Sequence, residues 1–361
     1  MAQRRSESKQ FYCINGLRPF RGGRGSNVRI VGVRRSAGEV ETAQLSEDGT
    51  TLSVMTDVAS FWSAPDEWIA RPPLGGILRT DDATIVPPLR PDAQVLCVGL
   101  NYKDHALEGS YRDQPLPDFP TIFGRWGRSL CVDGTEIPVP AGEEGMDWEG
   151  EVVAWVGRPL VDATADDALA AVFGYSVFND VTARRAQKLT SQWILGKNAD
   201  RSGVLGPIVP AAEVGDISAG LRLRTLVNGE TVQDASTRDM IHSVGAILAH
   251  VSRTITLLPG DILATGTPAG VGYGRTPPWL LRPGDIVEVE VERLGKVRNT
   301  MVSSDSRGPG PQTSAVVTRE HSGRSGASVT LDSQTSKQVD AVLVADATPA
   351  TEKLASRRQI D

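Results

Sequence analysis

Cysteine is scarce in this chain of 361 residues: Cys13, Cys97 and Cys131 are odd in number and widely scattered. That excludes a disulfide framework and a thiolate zinc site, and a reducing compartment fits best. No apolar run approaches the roughly eighteen residues that a membrane helix needs. The N-terminus lacks the apolar stretch of a secretory signal. There is no excess of positive charge, the formal net charge being −6, which argues against a nucleic-acid partner. Neither a phosphate-loop nor a dinucleotide glycine pattern is present, and no internal repeat is found. Histidine is rare as well, with four in the chain.

What is present is unevenly distributed. Residues 1–26 carry six Lys/Arg against Glu7 alone, and residues 302–361 carry seven basic and seven acidic side chains, so residues 27–301 hold a net −11. An acidic body suits a protein that collects cations, although solubility also explains it. Segment 302–361 has no Phe, Trp or Tyr; with so little to bury, it is expected to be a disordered tail. Residues 1–26 are expected to be a loose, disordered basic N-terminus. Their Arg-rich character is weakly similar to an organellar presequence, so a cytoplasmic location is expected with a mitochondrial one as the alternative.

Between these ends, residues 27–90 read as a small β-rich domain, with an apolar segment at 28–33, a turn at Glu47-Asp48-Gly49, and Pro72-Pro73 and Pro87-Pro88 as punctuation. Residues 91–301 are strand-heavy. Strand candidates are 95–100, 151–156 and 174–180. Residues 221–226 lead into the hairpin turn Val227-Asn228-Gly229-Glu230. The segment 286–292 alternates with period two. One helix is expected after Thr237, with Met240, Ile241, Val244, Ile247, Leu248, Val251 and Ile255 on one face.

Four constellations carry possible chemistry. Glu149 and Glu151 lie two apart at the start of a strand and so on one side of it. Such close like charges repel unless a cation neutralises them. Asp180, at the end of a second apolar stretch, adds a third acid. Three carboxylates without a thiolate make a hard oxygen site for Mg²⁺ or Mn²⁺, with Ca²⁺ as a further candidate; the bland alternative is a solvated strand edge. His105 and Glu108 are neighbours on a helical turn, where a carboxylate orients an imidazole for proton transfer. Arg184 and Gln187 share a helix face and suit a carboxylate ligand, and Lys197 near a metal can stabilise an enolate or orient a keto acid. Finally, Thr265-Gly266-Thr267-Pro268-Ala269-Gly270-Val271-Gly272 is a loop whose N–H groups can converge on an anion.

The order and spacing of these motifs are more specific than any one of them. Taken from Asn101-Tyr102-Lys103-Asp104-His105 and Glu108, through Glu149-x-Glu151, Phe178-Asn179-Asp180, Arg184-x-x-Gln187 and Lys197, to the Thr265–Gly272 loop, the series over about residues 94–300 resembles the fumarylacetoacetate hydrolase family. The resemblance implies a β-rich α+β fold with a mixed β-roll catalytic domain at 91–301, and a homodimer. It implies a divalent metal on Glu149, Glu151 and Asp180, catalytic roles for His105, Glu108 and Lys197, and substrate contacts by Arg184, Gln187 and Thr267. A small-molecule keto acid is the expected partner, with no nucleic acid and no membrane. The first expectation is metal-dependent C–C hydrolysis of an acylpyruvate or other 1,3-diketo acid. The alternative is an oxaloacetate-type decarboxylase or tautomerase, or an isomerase of 2-hydroxyhepta-2,4-diene-1,7-dioate type. An inactive metal- or keto-acid-binding scaffold is a third reading. Two positions differ from the family pattern: Arg185 stands where Asp is common, and Arg125 where Lys is common.

Overall fold

The structure, a computed structural model, describes residues 28–35, 38–106, 108 and 118–304. The segment 1–26 with Cys13, and the tail beyond Ser304, lie outside the described residues. No described helix is long and apolar enough to cross a membrane.

The fold is β-rich α+β, built on three sheets. The first is antiparallel and comprises strands Arg29–Arg34, Val40–Leu45, Thr51–Asp57, Ile77–Arg79 and Thr84–Val86. One small core joins Val31, Val33, Ala43, Leu52 and Val54. Its other side is not independent of the body. Ile30, Met55, Phe61 and Trp62 share a core with Val95, Trp155, Phe173 and Ile262. Trp62 comes from helix Val58–Ser63, which Asp57 caps by accepting from the Ser60 N–H at 2.9 Å. Its indole stacks on Trp155 with centroids 5.4 Å apart. Both indole N–H groups are satisfied, by Pro88 O at 2.8 Å and by Ser176 Oγ at 2.9 Å, so these large rings are buried without an unpaired donor.

The second sheet is mixed and eight-stranded. Its centre is the antiparallel pair Gly150–Val156 and Val172–Asp180, buried along their whole length. Strand Ile262–Ala264 flanks the first of these and pairs in parallel with Val95–Val98. The third sheet holds the hairpin Arg222–Val227 and Glu230–Ser236, then Ile286–Val291 and Gly295–Val302, with Ile137–Pro138 at its edge. Asn228 and Gly229 take φ of 50° and 84° at the hairpin turn, as Asn-Gly permits. Val287, Val289 and Val291 face inward at period two and meet Val152, Ala154 and Val156 in the largest core. The sheets approach closely where the acids begin: a Cβ on Gly150 would lie 2.3 Å from Thr225 Oγ1. Glycine is therefore required between Glu149 and Glu151.

Two boundaries differ from the sequence reading. Val302 is not tail; it completes the strand Gly295–Val302 and pairs with Pro138. The helix runs over Val244–Ser252 only, capped by Ser243. Met240 instead bridges to Tyr102, and the Ile241 N–H donates to Asn101 O at 2.7 Å. A tertiary partner thus takes the backbone that the periodicity assigned to a first helical turn. Ile255 lies past the helix end.

Because Trp62 bridges the first sheet and the body, Trp62→Ala is expected to lower unfolding stability by about 3–5 kcal/mol. In a denaturant titration, far-UV circular dichroism and tryptophan fluorescence should shift together to lower denaturant. Separate transitions by the two probes would contradict a shared core.

Candidate active site

The central strand pair sets the site. The Asp180 N–H donates to Glu149 O at 2.9 Å, and Asp147 and Thr182 exchange backbone bonds of 2.9 and 3.0 Å just beyond. This register places Glu149 opposite Asp180, with Glu151 two residues along the same strand. Glu149, Glu151 and Asp180 each offer an oxygen within 4.8 Å of the others, and all three are buried. Three acids so close need counter-charge. Lys197 Nζ donates to Glu149 Oε2 at 2.6 Å and Asp180 Oδ2 at 2.7 Å. The Arg184 guanidinium lies 2.6 Å from Glu149 Oε1. Arg125 Nε donates to Asp180 Oδ1 at 2.5 Å.

These contacts polarise the trio. Burial pushes the Glu149 carboxyl up, but Lys197 and Arg184 outweigh it and hold it at about 2. Burial likewise opposes the Lys197 ammonium, yet Asp180 and Glu149 raise its pKa above the ordinary value. Glu151 is the exception. Burial, then the Asp180 and Glu149 charges, push it well above the carboxylate range. Its Oε2 accepts from the Gly266 N–H at 2.8 Å, while its buried Oε1 has no hydrogen-bond partner. An orphaned carboxylate oxygen within an all-oxygen donor set fits a hard divalent cation. Cys97 is buried as well, and burial above all, then the Asp180 charge, pushes its thiol well up.

The N–H groups of the glycine loop do converge on carboxyl groups, but these are the protein's own. Gly266 serves Glu151. The Gly270 N–H donates to both Glu108 oxygens at 2.9 and 3.1 Å. The Gly272 and Tyr273 N–H groups donate to Asp147 at 2.7 and 3.2 Å. Gly270 takes φ of +105°, a conformation that favours glycine and turns its N–H toward Glu108. Thr267 is not brought to the cavity. Its hydroxyl donates to Gly150 O and accepts from Gln233 Nε2, both at 2.9 Å, fixing the loop to the acid-bearing strand.

A cavity of about 440 Å³ opens beside the trio. His105 and Glu108 line it together with Glu149, Arg184, Gln187 and Lys197; Phe123, Trp193, Lys188 and Tyr273 complete much of the wall. His105 Nδ1 lies 3.1 Å from Glu108 Oε2. Arg184 Nε donates to Asp147 Oδ2 at 2.7 Å and its NH1 to Gln187 Oε1 at 3.0 Å. Asp147, buried and joined at once to Arg184 and the loop, was given no role by sequence reasoning. The signal was there: it lies two residues before Glu149, as Glu149 does before Glu151.

The two departures from the family pattern also find their places. Arg185 is exposed; its N–H donates to Glu143 Oε2 at 3.0 Å and its NH1 to Gly142 O at 2.6 Å, so it adds no charge to the Arg184 contact. Arg125 is buried and uses its whole fork: besides Asp180, it donates to Val181 O at 2.9 Å, Ser202 Oγ at 3.1 Å and Ser129 Oγ at 3.3 Å.

Glu151→Gln tests the cation site. Calorimetry with Mg²⁺ or Mn²⁺ should show affinity falling at least about tenfold, the cost even of outer-shell losses. The raised pKa means the metal-free fold keeps a proton that the unfolded chain releases above its ordinary 4.5. The stability from this group is full below that pH and is lost as pH rises toward the folded value. The melting temperature of metal-free Glu151→Gln should therefore gain on the unaltered protein as pH increases, and a constant difference would contradict the assignment.

The comparisons with known proteins agree with this geometry. The family model described as fumarylacetoacetate (FAA) hydrolase C-terminal matches residues 94–302. The mitochondrial oxaloacetate tautomerase fahd2 of Xenopus laevis is 36% identical over 228 residues, covering 63% of this chain and 70% of that protein. Among solved structures, a 2-hydroxyhepta-2,4-diene-1,7-dioate isomerase from Mycobacterium marinum superposes with a TM-score of 0.61 at 30% identity, over 77% of this chain and 99% of its own. A fumarylpyruvate hydrolase from Pseudomonas aeruginosa, in complex with Mn²⁺ and pyruvate, gives a TM-score of 0.54 at 29% identity, over 61% of this chain and 92% of its own. The chain belongs to the fumarylacetoacetate hydrolase family.

Proposed function

We propose that the protein catalyses keto–enol interconversion of a short, enolisable 2-oxo acid of oxaloacetate type, using a divalent metal. The observation that carries this reading is the His105–Glu108 pair facing Glu149, Arg184 and Lys197 across one cavity. Glu149, Glu151 and Asp180 would hold the ion, with Mg²⁺ or Mn²⁺ the candidates. When bound, it supplies Lewis acidity toward the oxygens of a 2-oxo acid. Arg184 and Gln187 orient the substrate carboxylate, and Asp147 holds the guanidinium in place.

Glu108 faces His105 Nδ1, so the Nδ1–H tautomer leaves Nε2 as the base. His105 Nε2 takes a proton from C3; the electron pair left there forms the C2=C3 double bond, and the carbonyl π pair moves to the C2 oxygen. Return of the proton to that oxygen gives the enol; the reverse sequence gives the ketone. No water is consumed. Glu108 is itself fixed by Gly270, which keeps the imidazole aligned at little reorganisation cost. The named activity of the Xenopus laevis relative supports the tautomerase reading.

A second reading is hydrolysis of an acylpyruvate. The apolar wall at Phe123 and Trp193 favours it, since it could face an acyl chain. There, the same Nε2 would deprotonate a water that attacks the distal carbonyl; the C–C bond from that carbon to the pyruvate C3 breaks, the acyl part leaves as a carboxylic acid, and the pyruvate enolate takes the proton back at C3.

The two are separable with purified, Mg²⁺-loaded protein. Decay of the enol absorbance of oxaloacetate should accelerate with enzyme, and His105→Gln should reduce kcat by about 10²–10⁴-fold, as expected for loss of a general base. Release of pyruvate from fumarylpyruvate, with oxaloacetate enol decay unchanged, would establish the hydrolase instead.

A further inference from the structure

We infer that Lys188 recognises the second, distal carboxylate of the substrate, so that the cavity is built for 2-oxo dicarboxylates over 2-oxo monocarboxylates. The inference rests on the proposed function for the identity of the first carboxylate, and adds a residue and a substrate class to it.

The charges around the cavity lead to it. Arg125, Arg184 and Lys197 are each already held in ion pairs with Asp147, Glu149 or Asp180. A second carboxylate needs a further cation. Lys188 lines the cavity and, among the described residues, forms no ion pair with a carboxylate. Its Nζ rests 3.8 Å from the centroid of the Tyr273 ring.

The placement is specific. Lys188 closes the short helix Arg184–Lys188, so it stands one turn beyond Arg184 on the same face, about 6 Å along the axis. One carboxylate at Arg184 and Gln187 thus leaves the far end of a short diacid directed toward Lys188. Tyr273 is held by its N–H on Asp147, the acid that also orients Arg184, so both ends of the cavity are referenced to one buried side chain. An exposed aromatic face holds an ammonium more weakly than a carboxylate does. Tyr273 therefore parks Lys188 at the wall without competing strongly with an incoming diacid.

Binding to the Mn²⁺-loaded, full-length protein tests this without turnover. Two inert probes are compared by calorimetry: oxalate, which engages only the metal end, and malate, which cannot enolise and carries a distal carboxylate. Lys188→Gln should weaken malate by about tenfold or more, the scale of a lost charge-assisted hydrogen bond, while oxalate changes less than about twofold on the same scale. Lys188→Arg, which keeps the charge, should restore most of the malate affinity. Malate affinity unchanged in Lys188→Gln, or malate and oxalate weakened equally, would overturn the role of Lys188 and leave the proposed function standing. Failure of the unaltered protein to bind oxalate would overturn both.

Discussion

Carboxylates buried together are the constraint on which this structure depends. Asp147, Glu149, Glu151 and Asp180 lie within one interior region, where isolated charges are costly and like charges repel. The chain answers with three buried cations and with backbone amides, and few nearby features are free of that task. Lys197 bridges Glu149 and Asp180, Arg184 bridges Glu149 and Asp147, and Arg125 anchors Asp180 to two neighbouring turns. The glycine loop supplies N–H groups to Glu151 and Asp147 and to Glu108 at the cavity wall. Removing one partner from such a cluster leaves an uncompensated buried charge, which destabilises more than the pair itself contributes. The compensation is incomplete at Glu151 alone among the trio, and that residue's orphaned oxygen is where a divalent ion would complete the set.

The same arrangement serves chemistry. A site whose dipoles and charges are fixed before substrate arrives need not reorganise during reaction. Here the fixing is shared. Gly270 holds Glu108, Glu108 faces His105, Asp147 holds both Arg184 and the next residues of the loop. His105 and Arg184 are therefore referenced to one loop, and that loop is fastened to the acid-bearing strand through Thr267 and Gln233. Solved structures with different named reactions, an isomerase and a hydrolase, are similar to this fold. A shared fold therefore does not fix the reaction, which depends on the groups at the site.

Much of this was legible in the sequence, and the failures have physical causes. Short apolar runs and acid spacing are local properties, so the strands that carry Glu151 and Asp180 were legible, while the grouping of Glu149, Glu151 and Asp180 rested on the order of the motifs along the chain. The His105–Glu108 pair is likewise a local i, i+3 relation. What could not be read was partnership over long separations. Thr267 was expected at substrate because its loop matched, but its hydroxyl is taken by Gly150, 117 residues away. The turn before the Val244–Ser252 helix has helical periodicity, yet Asn101 captures its backbone. The convergence of the loop's N–H groups was correctly inferred from its glycines; that they meet the protein's own carboxyl groups depends on tertiary structure. Asp147 stands at the same two-residue spacing as Glu149 and Glu151, but its role as the partner of Arg184 and of the loop depends on contacts 37 and 125 residues away.

Arg125 shows why residue type at one position depends on the whole cluster. A lysine there would supply a compact charge to Asp180. The guanidinium supplies that charge and also donates to Val181 O, Ser129 and Ser202, tying the end of the Asp180 strand to the segment after Trp126 and to the turn before Gly203. A planar fork with five donors can satisfy acceptors in several directions at once, which an ammonium on a flexible stem does less well. Gly203 fits this reading, because a Cβ there would lie 2.9 Å from Arg125 NH1 and 2.5 Å from Leu130. The larger cation and the residue with no side chain thus occupy one space. What looks in the sequence like a lapse from the family pattern is, in the fold, a different way of satisfying the same acid.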